Sequence, residues 1–194
     1  MKSYIEKQLS QSIELQKKVY ADKALQQQLI TISELCVKAY KNGRKILAAG
    51  NGGSAADSQH LIAELVSRFF FHRKALAAQA LSVNTSTLTA IGNDYGYDQL
   101  FSRQIEANAK AGDIFLAIST SGNSVNIIKA AETAKKQGVI VIGLTGETGG
   151  ELKKLCDVCL CVPSKITPRI QETHILLGHI ICATIEEEMF ADEK

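Results

Sequence analysis

His60 and Glu64 stand four residues apart, and at about 100° per residue of helix they share one face. An imidazole beside a carboxylate on one face is an acid/base pair, part of a metal site, or an ordinary surface ion pair, and the spacing fits all three. A second group lies near the far end of the chain. Gln171 and His179 are eight apart, about 80° from eclipsed, so they line one broad helix face without stacking. His174 and His179 differ by about 140°, too far for one face to present both. His179 sits in the apolar run Leu176-Leu177-Gly178-His179-Ile180-Ile181, where a buried structural histidine is an equally good reading.

Two further segments share one plan: an apolar strand, a turn of small polar residues, then a helix. The first turn is Gly50-Asn51-Gly52-Gly53-Ser54 and the second is Ser119-Thr120-Ser121-Gly122-Asn123-Ser124. Such turns fall at the carboxyl ends of parallel strands, where ligands bind in open α/β sheets. Glycines allow close backbone approach, and the N–H groups of the following helix face an anion. The hydroxyls of Ser54, Ser119, Thr120, Ser121 and Ser124 are of the kind that can satisfy phosphate oxygens without adding a charge. Neither turn has the Gly-Lys-Ser/Thr of a nucleotide P-loop or the Gly-x-Gly-x-x-Gly of a dinucleotide site. Either turn alone also reads as a strand-to-helix connection with a helix cap; two together point to a phosphorylated small molecule.

The elements that must position these groups are legible in outline. Apolar residues recur at helical spacing from Ile5 to Tyr20 and again from Leu25 to Ala39, predicting two helices that meet near Asp22 and stop at Asn42-Gly43. Buried-type strands are predicted at 46–49, 76–83, 113–118, 139–144 and 158–162. Helices are predicted from the first turn to about Phe70, from Val125 to Gln137 and from Ile170 to Phe190. Strands alternating with helices give an α/β fold with a parallel sheet covered on both faces.

The 194 residues suit one domain, and 22 basic against 20 acidic residues leave a formal charge of +2. That balance gives no electrostatic reason to bind nucleic acid or a membrane surface. The polar, amphipathic start lacks an apolar leader core, and the five cysteines are odd in number. Both features predict a cytoplasmic protein with reduced thiols.

Gly50-Asn51-Gly52-Gly53-Ser54-Ala55-Ala56-Asp57, Ser119-Thr120-Ser121-Gly122-Asn123-Ser124 and Leu144-Thr145-Gly146 resemble the sugar isomerase (SIS) family over essentially the whole chain. Ala90-Ile91-Gly92-Asn93-Asp94-Tyr95-Gly96-Tyr97 and Arg169-Ile170-Gln171-Glu172 resemble its phosphoheptose isomerase branch. The resemblance implies a three-layer α/β/α SIS fold with a central five-stranded parallel sheet. It implies an assembly-forming helical pair over 1–43, an SIS domain over 44–194 acting with it as a single domain, and a homotetramer. Its activity would be an aldose–ketose isomerase converting sedoheptulose 7-phosphate to D-glycero-D-manno-heptose 7-phosphate, for heptose and lipopolysaccharide precursors. Substrate contacts would come from Asn51, Gly52, Gly53, Ser54, Asn93, Asp94, Ser119, Thr120, Ser121 and Ser124, with Glu64 and Gln171. The metal pattern maps onto His60, Glu64, Gln171 and His179, with one zinc per subunit, and the acid/base pair onto Glu64 and His179. A carboxylate fully engaged by zinc is a poor proton carrier, so the two roles need a rearrangement or a water. The alternative is a non-catalytic SIS-fold tetramer that binds a partner protein such as a replication initiator; that branch lacks the glutamate and histidine corresponding to Glu64 and His179. A sugar-phosphate-sensing regulator is a third reading, and it lacks a visible DNA-binding appendage here.

Four remaining features have plainer expectations. Cys156, Cys159 and Cys161 read as core cysteines. Phe69-Phe70-Phe71 reads as a core or subunit contact. The flanking Arg68 and Arg73 read as solvated or interfacial, and Glu186-Glu187-Glu188 as a solvated helix end.

Overall fold

The computed structural model describes residues 1–193. The chain opens with α1 (Lys2–Ala21) and α2 (Lys23–Lys41), separated by Asp22, whose side chain accepts the Leu25 N–H as an N-cap. Then follow β1 (Ile46–Ala49), α3 (Gly53–Val66), β2 (Ala78–Ala80), α4 (Thr85–Tyr95) and α5 (Ser102–Asn108). The second half runs β3 (Ile114–Ser119), α6 (Val125–Lys136), β4 (Ile140–Thr145), β5 (Val158–Cys161) and α7 (Thr167–Phe190). No helix among the described residues is long and apolar enough to cross a membrane.

All five strands are parallel in the order β2-β1-β3-β4-β5. Alternate strand residues feed two cores. Ile46, Ala48, Ile114, Leu116, Ile118, Ile142 and Leu144 pack with α2, α3 and α7. Leu47, Ala49, Phe115, Ala117 and Val141 pack with α5 and α6 on the other face. The fold is thus the expected α/β/α sandwich. From β1 the chain steps one way along the sheet to β2, and from β3 it steps the other way to β4. The β1/β3 junction is therefore the topological switch point, where a crevice opens at the carboxyl ends of the strands. The two small-residue turns are the loops that follow β1 and β3.

Several expected boundaries shift. The helix after the first turn ends at Val66 and not near Phe70, so Ser67–Ala77 forms an irregular crossing segment. The second strand keeps only three residues. Residues 84–112, unread in the sequence, hold α4 and α5. No residue of α4 is buried, which is why it lacked a hydrophobic period. Glu186 is not solvated: it is 0% exposed and pairs with Arg73, 6% exposed, at 3.0 Å. Arg73 is likewise a core residue, not a surface one.

Candidate active site

Asn51, on the β1 loop, exchanges two amide hydrogen bonds with Asn126 in the first turn of α6, each 2.9 Å. The Tyr97 hydroxyl donates to Asn51 Oδ1 at 3.0 Å. These contacts tie the two loops across the switch point. Neither Asn126 nor Tyr97 was expected as a site residue, although Tyr97 closes the Ala90–Tyr97 motif of the resemblance. The signal for Asn126 was its place one step after Ser124-Val125, inside the next helix.

On the β3 loop, the Ser119 and Ser124 hydroxyls meet at 2.9 Å, and Ser121 Oγ accepts the Asn123 N–H at 3.1 Å. Ser119 is buried against its own loop, whereas Ser121 is exposed. Thr120 and Ser121 line a hollow of about 210 Å³ with Gly146, Ser164, Lys165 and Thr167. Asn51 and Gly52 line a separate hollow of about 380 Å³ with Ser82, Gly92 and Tyr97. Asn93 and Asp94 lie on exposed α4, hydrogen-bonded to each other at 2.8 Å, and line neither hollow. A larger surface groove of about 590 Å³ lies between α2 and the end of α7 and contains none of these residues.

Gly53 opens α3, and the Ser54 and Ala55 N–H groups donate to the Asn51 and Gly52 carbonyls at 3.0 and 3.1 Å, which closes the loop onto the helix. Gln171, near the start of α7, lies directly over Gly53. A Cβ on Gly53 would fall 2.6 Å from the Gln171 Nε2, so any other residue there would push that carboxamide from its place. Ser54, next along, is buried.

Two turns further along α3, His60 Nε2 lies 3.2 Å from Glu64 Oε1 and 2.9 Å from His179 Nε2 of α7. The imidazole centroids are 5.0 Å apart. His60 is exposed; Glu64 and His179 are half-buried. His179 is thus a site residue and not the sealed core histidine that its apolar neighbours allowed. The ring of Phe69 stands against it at 5.5 Å. One ligand atom from each of His60, Glu64 and His179 lies within 4.8 Å of the other two. Tetrahedral zinc ligands about 2.0–2.1 Å from the ion sit about 3.3 Å apart, so this donor set fits a divalent metal.

His174 takes no part in that cluster. It is fully buried, its Nε2–H donates to the Thr145 carbonyl at 3.0 Å, and Nδ1 has no partner among the described residues. Burial pushes its pKa down to about 4, with the carbonyl partly opposing. Asp57, one turn before His60, also escaped notice as a site residue. Its Oδ2 is buried without a partner, and burial raises its carboxyl pKa against the opposing pull of His60.

The SIS domain family model matches residues 9–146. The phosphoheptose isomerase of Aneurinibacillus thermoaerophilus is 54% identical over 193 residues, covering 100% of this chain and 98% of its own. The solved structure of the Neisseria gonorrhoeae phosphoheptose isomerase superposes with a TM-score of 0.90 at 43% identity, over 96% of this chain and 98% of that one. The Francisella tularensis enzyme gives 0.91 at 36% identity, over 95% and 97%. With such identity over nearly the full length of both partners, the chain belongs to the phosphoheptose isomerases of the SIS-domain family.

Proposed function

We propose that this protein interconverts sedoheptulose 7-phosphate and D-glycero-D-manno-heptose 7-phosphate through an enediol. The observation that carries the reading is the meeting of Glu64, His60 and His179 from two helices beside the switch-point loops. It stands in a chain 54% identical to a phosphoheptose isomerase.

The chemistry needs two proton movements. Glu64 takes a proton from C1 of the ketose, the C1–C2 enediol forms, and the proton returns at C2. His179 moves a proton between the oxygens on C1 and C2, so that the C2 carbonyl becomes a hydroxyl and C1 an aldehyde. In this reading the Thr120, Ser121 and Ser124 hydroxyls of the β3 loop hold the phosphate, which leaves C1 and C2 free to reach the carboxylate. Asn93 and Asp94 of α4 supply the remaining sugar contacts in this reading.

His60, Glu64, Gln171 and His179 would hold one zinc ion per subunit. Such an ion, when bound, polarises substrate oxygens and stabilises negative charge on them. Assembly as a cytoplasmic homotetramer belongs to the same reading; exposed Tyr4, Ile5, Leu9 and Ile13 on α1 offer an apolar surface for it. The product would feed heptose synthesis for surface glycans. A coupled assay on sedoheptulose 7-phosphate tests the proposal: turnover by the wild type supports it, and a folded, metal-loaded protein without turnover moves the reading to partner binding.

A further inference from the structure

The segment Ser67–Ala77 crosses the face of α7 that carries His179, and it is held there by one buried ion pair. Glu186 is seven residues after His179, about 20° from eclipsed, so both side chains meet this segment. The two Glu186 oxygens accept the backbone N–H groups of Phe69 and Phe70 at 2.8 and 2.6 Å, and one also accepts Arg73 Nε at 3.0 Å. Burial opposes the Glu186 charge, but the two amides and Arg73 outweigh it and hold the carboxyl below the ordinary range. The anchored Phe69 ring is the one that stands against His179.

Arg73 works on the other helix. Its Nη2 donates to the Glu64 carbonyl at 2.8 Å, and its Nη1 to the Leu65 carbonyl at 2.8 Å and the Ser67 carbonyl at 3.1 Å. These carbonyls end α3, the helix that carries His60 and Glu64. A guanidinium fork suits this task because it satisfies several acceptors in fixed directions. One ion pair therefore grips the end of α3 through Arg73 and the body of α7 through Glu186.

We infer that Arg73 and Glu186 are positioning residues that set the distance between the His60–Glu64 pair on α3 and His179 on α7. The kinetic arm of the test rests on the isomerase reading; the metal arm does not. Full-length Glu186→Gln and Phe69→Leu are compared with Ile105→Ala, a core truncation on the opposite face of the sheet that controls for destabilisation alone. Each is measured for melting temperature, kcat and KM, and cobalt(II) affinity by chelator competition. Outer-shell changes of this kind reduce activity or metal affinity about 10- to 100-fold. Glu186→Gln is expected to lower kcat and cobalt affinity at least about tenfold with KM within about twofold. Phe69→Leu, which leaves the ion pair intact, is expected to do so less strongly, and Ile105→Ala to lower only the melting temperature.

Wild-type kcat and cobalt affinity in folded Glu186→Gln overturn the inference, as does an equal loss in Ile105→Ala. If Glu186→Gln does not fold, Arg73→Lys, which keeps the charge but loses the fork onto the α3 carbonyls, decides: unchanged kcat and cobalt affinity there overturn the inference. A wild type without turnover whose cobalt affinity still falls in the two variants removes the isomerase reading and keeps the positioning role.

Discussion

A carboxylate 3.2 Å from one imidazole, with a second imidazole 2.9 Å beyond, concentrates the proton chemistry of this chain in three side chains. Glu64→Gln keeps the shape and removes the base, so kcat should fall about 10²- to 10⁴-fold with the fold unchanged, as read by steady-state kinetics and circular dichroism. His174 makes a different prediction. Its native pKa of about 4 lies below the ordinary 6.5, so the unfolded chain takes up a proton that the native chain refuses. The stability it confers is full above pH 6.5 and is lost as pH falls towards 4, amounting to about 3 kcal/mol at about 1.36 kcal/mol per unit. Urea unfolding at pH 7.5 and 5.0 should show the loss, and a neutral replacement at His174 should flatten that slope. Below about 4.5, Asp113 and Glu186, whose pKa values are held down by their partners, add losses of the same sign. The His60–Glu64 pairing was legible because four-residue spacing is local. The arrival of His179 was not, because it depends on how two helices 119 residues apart pack. Glu186 was misread for the same reason: nothing near it in sequence reveals a partner 113 residues away.

At the scale of elements, α3 and α7 approach closely because residue 178 is glycine. A Cβ there would lie 2.5 Å from Leu61 Cδ2 and 3.1 Å from Leu61 Cγ, and Leu61 is only 2% exposed. Gly178→Ala gains about 1 kcal/mol of helix propensity, yet overpacking costs about 1–3 kcal/mol. The expected result is a net loss in denaturant unfolding together with reduced kcat, since the neighbouring residue is His179. Leu61→Val in the same chain should restore part of both; a neutral single variant would show that the helices have room. The strands and the long helices were readable from apolar runs and helical periods. The two helices between 84 and 112 were not: α4 has no fully buried residue, only Leu88 and Ile91 half-buried against the core, and α5 is only seven residues long. The end of α3 was overextended because Phe69 and Phe71 continue an apolar pattern, although they pack onto the core from an irregular segment.

Over the whole molecule, the strand order β2-β1-β3-β4-β5 places both small-residue loops at one reversal point. Sequence anticipated the loops and the parallel sheet, but not the order that makes them neighbours. The exposed apolar residues of α1 predict self-association, and the homotetramer of the proposed function would scatter light as four times the 21.0 kDa chain mass; Leu9→Asp with Ile13→Asp should lower it. The most direct test of the central claim is the coupled assay with sedoheptulose 7-phosphate on wild type, Glu64→Gln and His179→Gln, each with and without added zinc. The account predicts wild-type turnover that collapses in both variants whatever the zinc level. Full turnover in either variant, or none in a folded wild type under every metal condition, would contradict it.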